Sequence, residues 1–137
     1  MDRTATAHWE GDLRSGNGTM RLGSGAWEGP YSFKTRFEGA PGANPEELLG
    51  AAHAGCFSMA VSAGLFKAGK TATSIDTKAV VILENLAITR IDLTTRAAVP
   101  GMSAAEFQAV AEDAKANCIV SKALAAVPIT LQATLVP

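Results

Sequence analysis

Two cysteines, Cys56 and Cys118, are the residues of this 137-residue chain best suited to chemistry. A thiolate attacks peroxides and disulfides and binds metals, but a thiol, with its pKa of about 8.5, waits on a nearby cation or helix N-terminus to stabilise the anion. The cysteines stand 62 positions apart, which excludes a CxxC motif. In a reducing compartment such a pair points to redox, metal or catalytic work more than to a structural staple. The plain alternative is that both are small core residues. Arg36 is the nearest plausible cation in sequence to Cys56. His53, three residues before Cys56, shares its helical face, so a Cys-His hydrolase is conceivable; a neighbour at that offset is nevertheless poorly placed to orient an imidazole against the thiol. The plainer reading of His53 is a polar residue at a subunit interface. Metal binding by Cys56, Cys118, His8 and His53 would need four dispersed ligands with no short paired spacing.

The elements that must position these residues can be read from periodicity and caps. Ala5–Trp9 alternates, a Gly-rich stretch follows, and Thr19–Leu22 completes a hairpin. Tyr31–Phe37 also alternates, which predicts a strand with Tyr31, Phe33 and Phe37 on one side and Lys34 and Arg36 on the other. Asn44-Pro45-Glu46-Glu47 is a helix start, with Asn44 as cap, Pro45 in the first turn and Glu47 where a capping box places its carboxylate. The helix is predicted from Pro45 to about Ala68, ending at Gly69, and it contains Cys56. Its residues are small and apolar almost all round, which predicts a central buried helix closely approached by another. Ser74–Leu83 and Ala87–Val99 read as strands joined near Glu84-Asn85. Ser103-Ala104-Ala105-Glu106 opens an amphipathic helix that stops near Asn117. Cys118–Ala125 reads as a short further helix, and Ile129–Val136 as a last strand. Cys118 thus falls at a junction, where a hinge could deliver it as a resolving thiol or where it could simply be a weak cap.

Composition narrows the field. With 47% hydrophobic residues, 18% charged residues and a net charge of -1, the chain is a folded one and carries no basic surplus for nucleic acid. The N-terminus holds no apolar run before a cleavage site, so the cytoplasm is expected. Leu48–Phe66 is apolar, but Gly50, His53, Gly55, Ser58, Ser62 and Gly64 interrupt it, and no membrane span is expected. Residues 1–137 are expected to form one domain, without repeats.

Taken together, AHWEGDLRSGNGT at 7–19, TRFEG at 35–39, NPEELLGAAHAGCFSMA at 44–60, TSIDTKA at 73–79, AVPGMSAAEF at 98–107 and AKANCIVSKAL at 114–124 carry a resemblance over nearly the whole chain. The chain resembles the family of osmotically inducible protein C and organic hydroperoxide resistance protein (OsmC/Ohr), and the osmotically inducible branch more closely. The resemblance implies an α/β (α+β) fold, an intertwined homodimer with two central helices enclosed by antiparallel sheets, and reduction of organic hydroperoxides in oxidative or osmotic stress. It further implies Cys56 as the peroxidatic cysteine, Cys118 as the resolving one, and Arg36 and Glu46 as the charged pair around the reactive thiol. No bound cofactor or metal is implied; an external dithiol, a lipoyl protein or another, must reduce the disulfide.

Glu46 and Cys56 are ten positions apart on one predicted helix, about 15 Å along its axis, too far for a side chain to bridge. If the carboxylate serves the thiol, it comes from the partner's helix, and the sites are composite. Two departures from the family pattern stand out. Ile119 follows Cys118 where relatives usually have Pro, and the connection at Glu84-Asn85 is several residues shorter than usual. The competing readings are a non-enzymatic, stress-induced dimeric protein binding a hydrophobic ligand, and the Cys-His hydrolase.

Overall fold

Alternation at the start of the chain produces β1 (Ala5–Glu10), which pairs antiparallel with β2 (Asn17–Leu22) from Ala5↔Leu22 to Glu10↔Asn17. The computed structural model describes residues 1–137. The turn between these strands is closed by Asp12, whose Oδ1 accepts the N–H groups of Arg14 and Ser15 at 2.9 Å each. β3 (Glu28–Ser32) adds to the other side of β2. Gly18 is required on β2: a Cβ there would run into the His8 carbonyl and into the rings of Trp9 and Tyr31, which pack 5.4 Å apart.

The predicted strand over Tyr31–Phe37 is not what forms. Extended backbone ends at Ser32, and Phe33–Phe37 is a short helix, α1. A capping box causes the switch. Ser32 Oγ accepts the Thr35 N–H at 3.2 Å, and Thr35 Oγ1 accepts the Ser32 N–H at 2.9 Å and donates to the Ala43 carbonyl at 2.7 Å. Phe33 and Phe37 become i,i+4 neighbours with centroids 4.9 Å apart, and the Arg36 guanidinium lies 5.3 Å over the Phe37 ring. The expected separation of Arg36 from the aromatics is therefore replaced by contact.

α2 (Pro45–Lys67) is close to its predicted limits. Asn44 Oδ1 accepts the Glu47 N–H at 2.8 Å, and Gly69 follows the C-terminus at φ +68°. Its opening turn closes a first compact body, Met1–Leu48; the rest belongs to a second, Leu49–Pro137. In the second body, Gly50, His53, Phe57, Val61 and Leu65 recur at three- and four-residue spacing as a buried stripe, while Ala52, Gly55, Met59, Ser62, Ala63 and Phe66 remain exposed. The helix is thus buried on one side within a single chain, not all round.

The second body is built on β4 (Ser74–Glu84), β5 (Ala87–Ala98) and β6 (Ile129–Val136), with β5 in the middle. β4 and β5 are antiparallel, joined through Asn85 and Leu86 at φ 51° and 62°. β5 and β6 are parallel from Ile91↔Ile129 to Ala98↔Val136, where a purely antiparallel sheet was expected. A parallel pair needs a crossover of a dozen residues or more. That crossover is α3 (Ala104–Asn117), opened by the predicted Ser103–Glu106 capping box, and α4 (Ile119–Ala123). Phe57, Val61 and Leu65 of α2, Ile91, Leu93 and Ala97 of β5, and Phe107, Ala111 and Ala114 of α3 form the core. The predicted close approach of a second helix to α2 is found at Gly64, where a Cβ would sit 2.8 Å from Val110 Cγ1 of α3. Ser58 Oγ donates to Thr77 Oγ1 at 2.8 Å, which lies 3.0 Å from Thr95 Oγ1, tying α2 to the middle of the sheet.

Candidate active site

In the first body, Arg36 of α1 and Glu46 of the first turn of α2 form a forked ion pair. Arg36 Nε donates to Oε1 at 3.1 Å and to Oε2 at 3.2 Å, and Nη2 donates to Oε1 at 2.7 Å. Glu46 is 9% exposed and stands at a helix N-terminus, where a negative charge is favoured. Nη1 of Arg36 is not among these bonds, and a planar fork held by two carboxylate oxygens has a fixed orientation. Arg36 and Glu46, predicted as a charged pair, meet through a helix where alternation predicts a strand.

In the second body, the crossover returns Cys118 to α2, and the two cysteines lie 3.7 Å apart. Both are free thiols; Cys56 is half-buried and Cys118 is buried. A disulfide needs about 2.05 Å between sulfurs, so joining them requires the two side chains to close further. Cys118 caps α4 in extended conformation, φ -60° and ψ 145°, and its sulfur accepts the Ser121 N–H at 3.3 Å. Its own N–H closes α3 on the Ala114 carbonyl at 2.9 Å. The cap reading therefore holds for Cys118, and the same residue lies close to Cys56.

His53 is fully buried within one chain, so the interface reading is corrected. Its Nε2 lies 2.8 Å from Ser121 Oγ, not against Cys56, and the suggested Cys-His dyad finds no hydrogen bond. Its Nδ1 is buried without a partner. Desolvation holds the imidazole pKa below its usual value, so the ring is neutral near pH 7. Ser121, not among the expected site residues, is legible in sequence as the Ser three residues after the capping Cys118. Its Oγ lies 3.1 Å from Cys118 Sγ, so the hydroxyl touches both the sulfur and the imidazole.

Comparison with known proteins places this geometry among relatives. Residues 37–132 match the family described as OsmC-like protein. Peroxiredoxin OsmC of Escherichia coli (strain K12) is 53% identical over 131 residues, 92% of each chain. A crystal structure of an OsmC-like protein from Mycoplasma pneumoniae superposes with a TM-score of 0.77 at 15% identity, covering 100% of this chain and 99% of that one. An organic hydroperoxide resistance protein from Elizabethkingia anophelis superposes with a TM-score of 0.67 at 25% identity, over 96% and 94% of the two chains.

Proposed function

Because the chain belongs to the OsmC-like protein family, we propose that it is a thiol peroxidase reducing organic hydroperoxides to alcohols through Cys56 and Cys118. The observation that carries this reading is the 3.7 Å approach of two free cysteines 62 positions apart. The names peroxiredoxin and organic hydroperoxide resistance protein, borne by relatives, supply the reaction and the substrate class.

Exposure supports the order of events, since peroxide can reach half-buried Cys56 more readily than Cys118, which is 3% exposed. The Cys56 thiolate attacks the distal peroxide oxygen, the O–O bond breaks, and the alkoxide takes a proton and leaves as alcohol. Cys56 is left as a sulfenic acid. The Cys118 sulfur then attacks the Cys56 sulfur, a disulfide forms and water leaves. An external dithiol, a lipoyl protein or another, returns both thiols.

Arg36, oriented by Glu46, would stabilise the thiolate and the departing oxygen. The helical rise between Glu46 and Cys56, about 15 Å, supports a pairing of that ion pair with the Cys56 of a second copy, in a homodimer. Support for the dimer comes from the exposed side of α2, where Met59 is 76% and Phe66 81% exposed beside Gly55, Ser62 and Ala63. Turnover of cumene hydroperoxide with dithiothreitol tests the chemistry. Cys56→Ser should abolish it, and Cys118→Ser, reduced and then mixed with peroxide after the dithiothreitol is removed, should consume one equivalent and stop at a trappable sulfenic acid. Full turnover by Cys56→Ser would overturn the assignment, as would a bound hydrophobic ligand with no peroxide consumed. Mixing Cys56→Ser with Glu46→Gln subunits should restore one working site per heterodimer.

A further inference from the structure

We infer that Ser121 and His53 form a proton relay for the Cys118 sulfur, removing its proton as it attacks oxidised Cys56 and returning one when the disulfide is reduced. The inference rests on the reading of Cys118 as the resolving thiol. At 3% exposure this sulfur cannot exchange its proton freely with solvent, yet thiol-disulfide chemistry requires a thiolate at the moment of attack. The only polar side chain bonded to it is Ser121, at 3.1 Å, and Ser121 is bonded in turn to His53 Nε2 at 2.8 Å.

The hydrogen bonds form one directed chain. With Cys118 as thiol, S–H donates to Ser121 Oγ, and the Ser121 O–H donates to Nε2, leaving the imidazole proton on Nδ1. Nδ1 has no partner and His53 is fully buried. Such a position, if it only filled space, would be better served by an apolar side chain. Because burial keeps the ring neutral, its Nε2 lone pair is free to accept. When both protons shift one place, Cys118 becomes a thiolate that receives hydrogen bonds from the Ser121 hydroxyl and from the Ser121 N–H, already 3.3 Å away. His53 becomes an imidazolium.

The step balances. The Cys118 S–H bond breaks and the S–S bond forms. The S–O bond of the Cys56 sulfenic acid breaks, with its electron pair leaving on hydroxide. The hydroxide takes a proton from solvent at half-buried Cys56 and leaves as water, while the imidazolium holds the Cys118 proton until reduction returns it through Ser121. On reduction, the dithiol attacks the Cys56 sulfur and Cys118 leaves as a thiolate, which is reprotonated through Ser121. Ser121 is a catalytic residue, since it touches the reacting sulfur, and His53 is a positioning residue acting through it.

Single-turnover mixing of the reduced protein with one equivalent of cumene hydroperoxide separates the two steps. Sulfenic acid formation is followed by trapping, and disulfide closure by rapid alkylation and mass spectrometry; the readout is the ratio of the two rates. In Ser121→Ala and His53→Gln this ratio should fall about a hundredfold, within the range of general acid-base catalysis. Ser121→Thr, which keeps the hydroxyl, should restore it, and closure in the natural protein should slow in D2O while the variants lose that sensitivity. Because sulfenic acid formation is read in the same sample, a misfolded variant shows itself by losing both steps, and Ser121→Thr and the D2O measurement then decide. An unchanged ratio in Ser121→Ala, or no D2O effect on natural closure, would overturn the relay alone. Absence of any Cys56–Cys118 disulfide in the natural protein would overturn the two-cysteine reading and the relay with it.

Discussion

A neutral histidine sealed inside a protein is sensitive to acid. His53 is held below the ordinary imidazole pKa by burial, while in the unfolded chain it returns to about 6.5. As pH falls through 6.5 the unfolded state binds a proton that the folded state does not, so this residue's contribution to stability is complete above 6.5 and declines below it. The thermal midpoint should therefore drop between pH 7 and pH 5, and His53→Gln should flatten part of that slope. Equal slopes in the two proteins, measured by calorimetry, would contradict the assignment of His53 as the buried titrating group. The ion pair of Arg36 with Glu46 makes no comparable demand, because half of it lies toward solvent and exposed pairs contribute little to stability. Its value lies in orientation.

Among the elements, the β4–β5 connection carries visible backbone strain. Leu86 sits at φ 62° with 84% of its surface exposed, a left-handed conformation that costs a branched residue about 1 kcal/mol and that glycine adopts freely. Leu86→Gly should raise stability by about 0.5–1 kcal/mol in chemical denaturation, with no burial lost; a decrease would show that Leu86 serves a contact outside the single chain. This hairpin, α2, α3 and β6 were all legible in the sequence, since caps and periodicity act locally. Misreadings arose where a few hydrogen bonds outweighed pattern. Tyr31–Phe37 has the alternation of a strand, but Ser32 and Thr35 satisfy the backbone of a helix turn, so Arg36 reaches Glu46 by another route than expected. The parallel pairing of β6 was illegible because strand direction follows from the crossover, not from residue type. The burial of His53 is illegible in sequence because its partner Ser121 lies 68 positions away, beyond any local signal.

For the whole molecule, the exposed side of α2 sets the expected assembly. A helix long and apolar enough to cross a membrane by length and composition here turns one stripe to the core and leaves Met59 and Phe66 outside. If a second copy covers that stripe, Met59→Lys should shift the mass measured by light scattering from two chains toward one and lower peroxidase turnover. An unchanged mass would remove α2 from the interface. The approach of Cys56 to Cys118 also has a mechanical meaning. Between these residues lie the C-terminal half of α2, both long strands of the second sheet and all of α3, so a bond joining the sulfurs would knot that stretch into a closed ring. A ring of this circumference restricts the denatured chain by about 4 kcal/mol in the chain-entropy account. The spent form of the protein would then be its most durable one, and each encounter with a reductant would loosen the fold as it rearms the thiol.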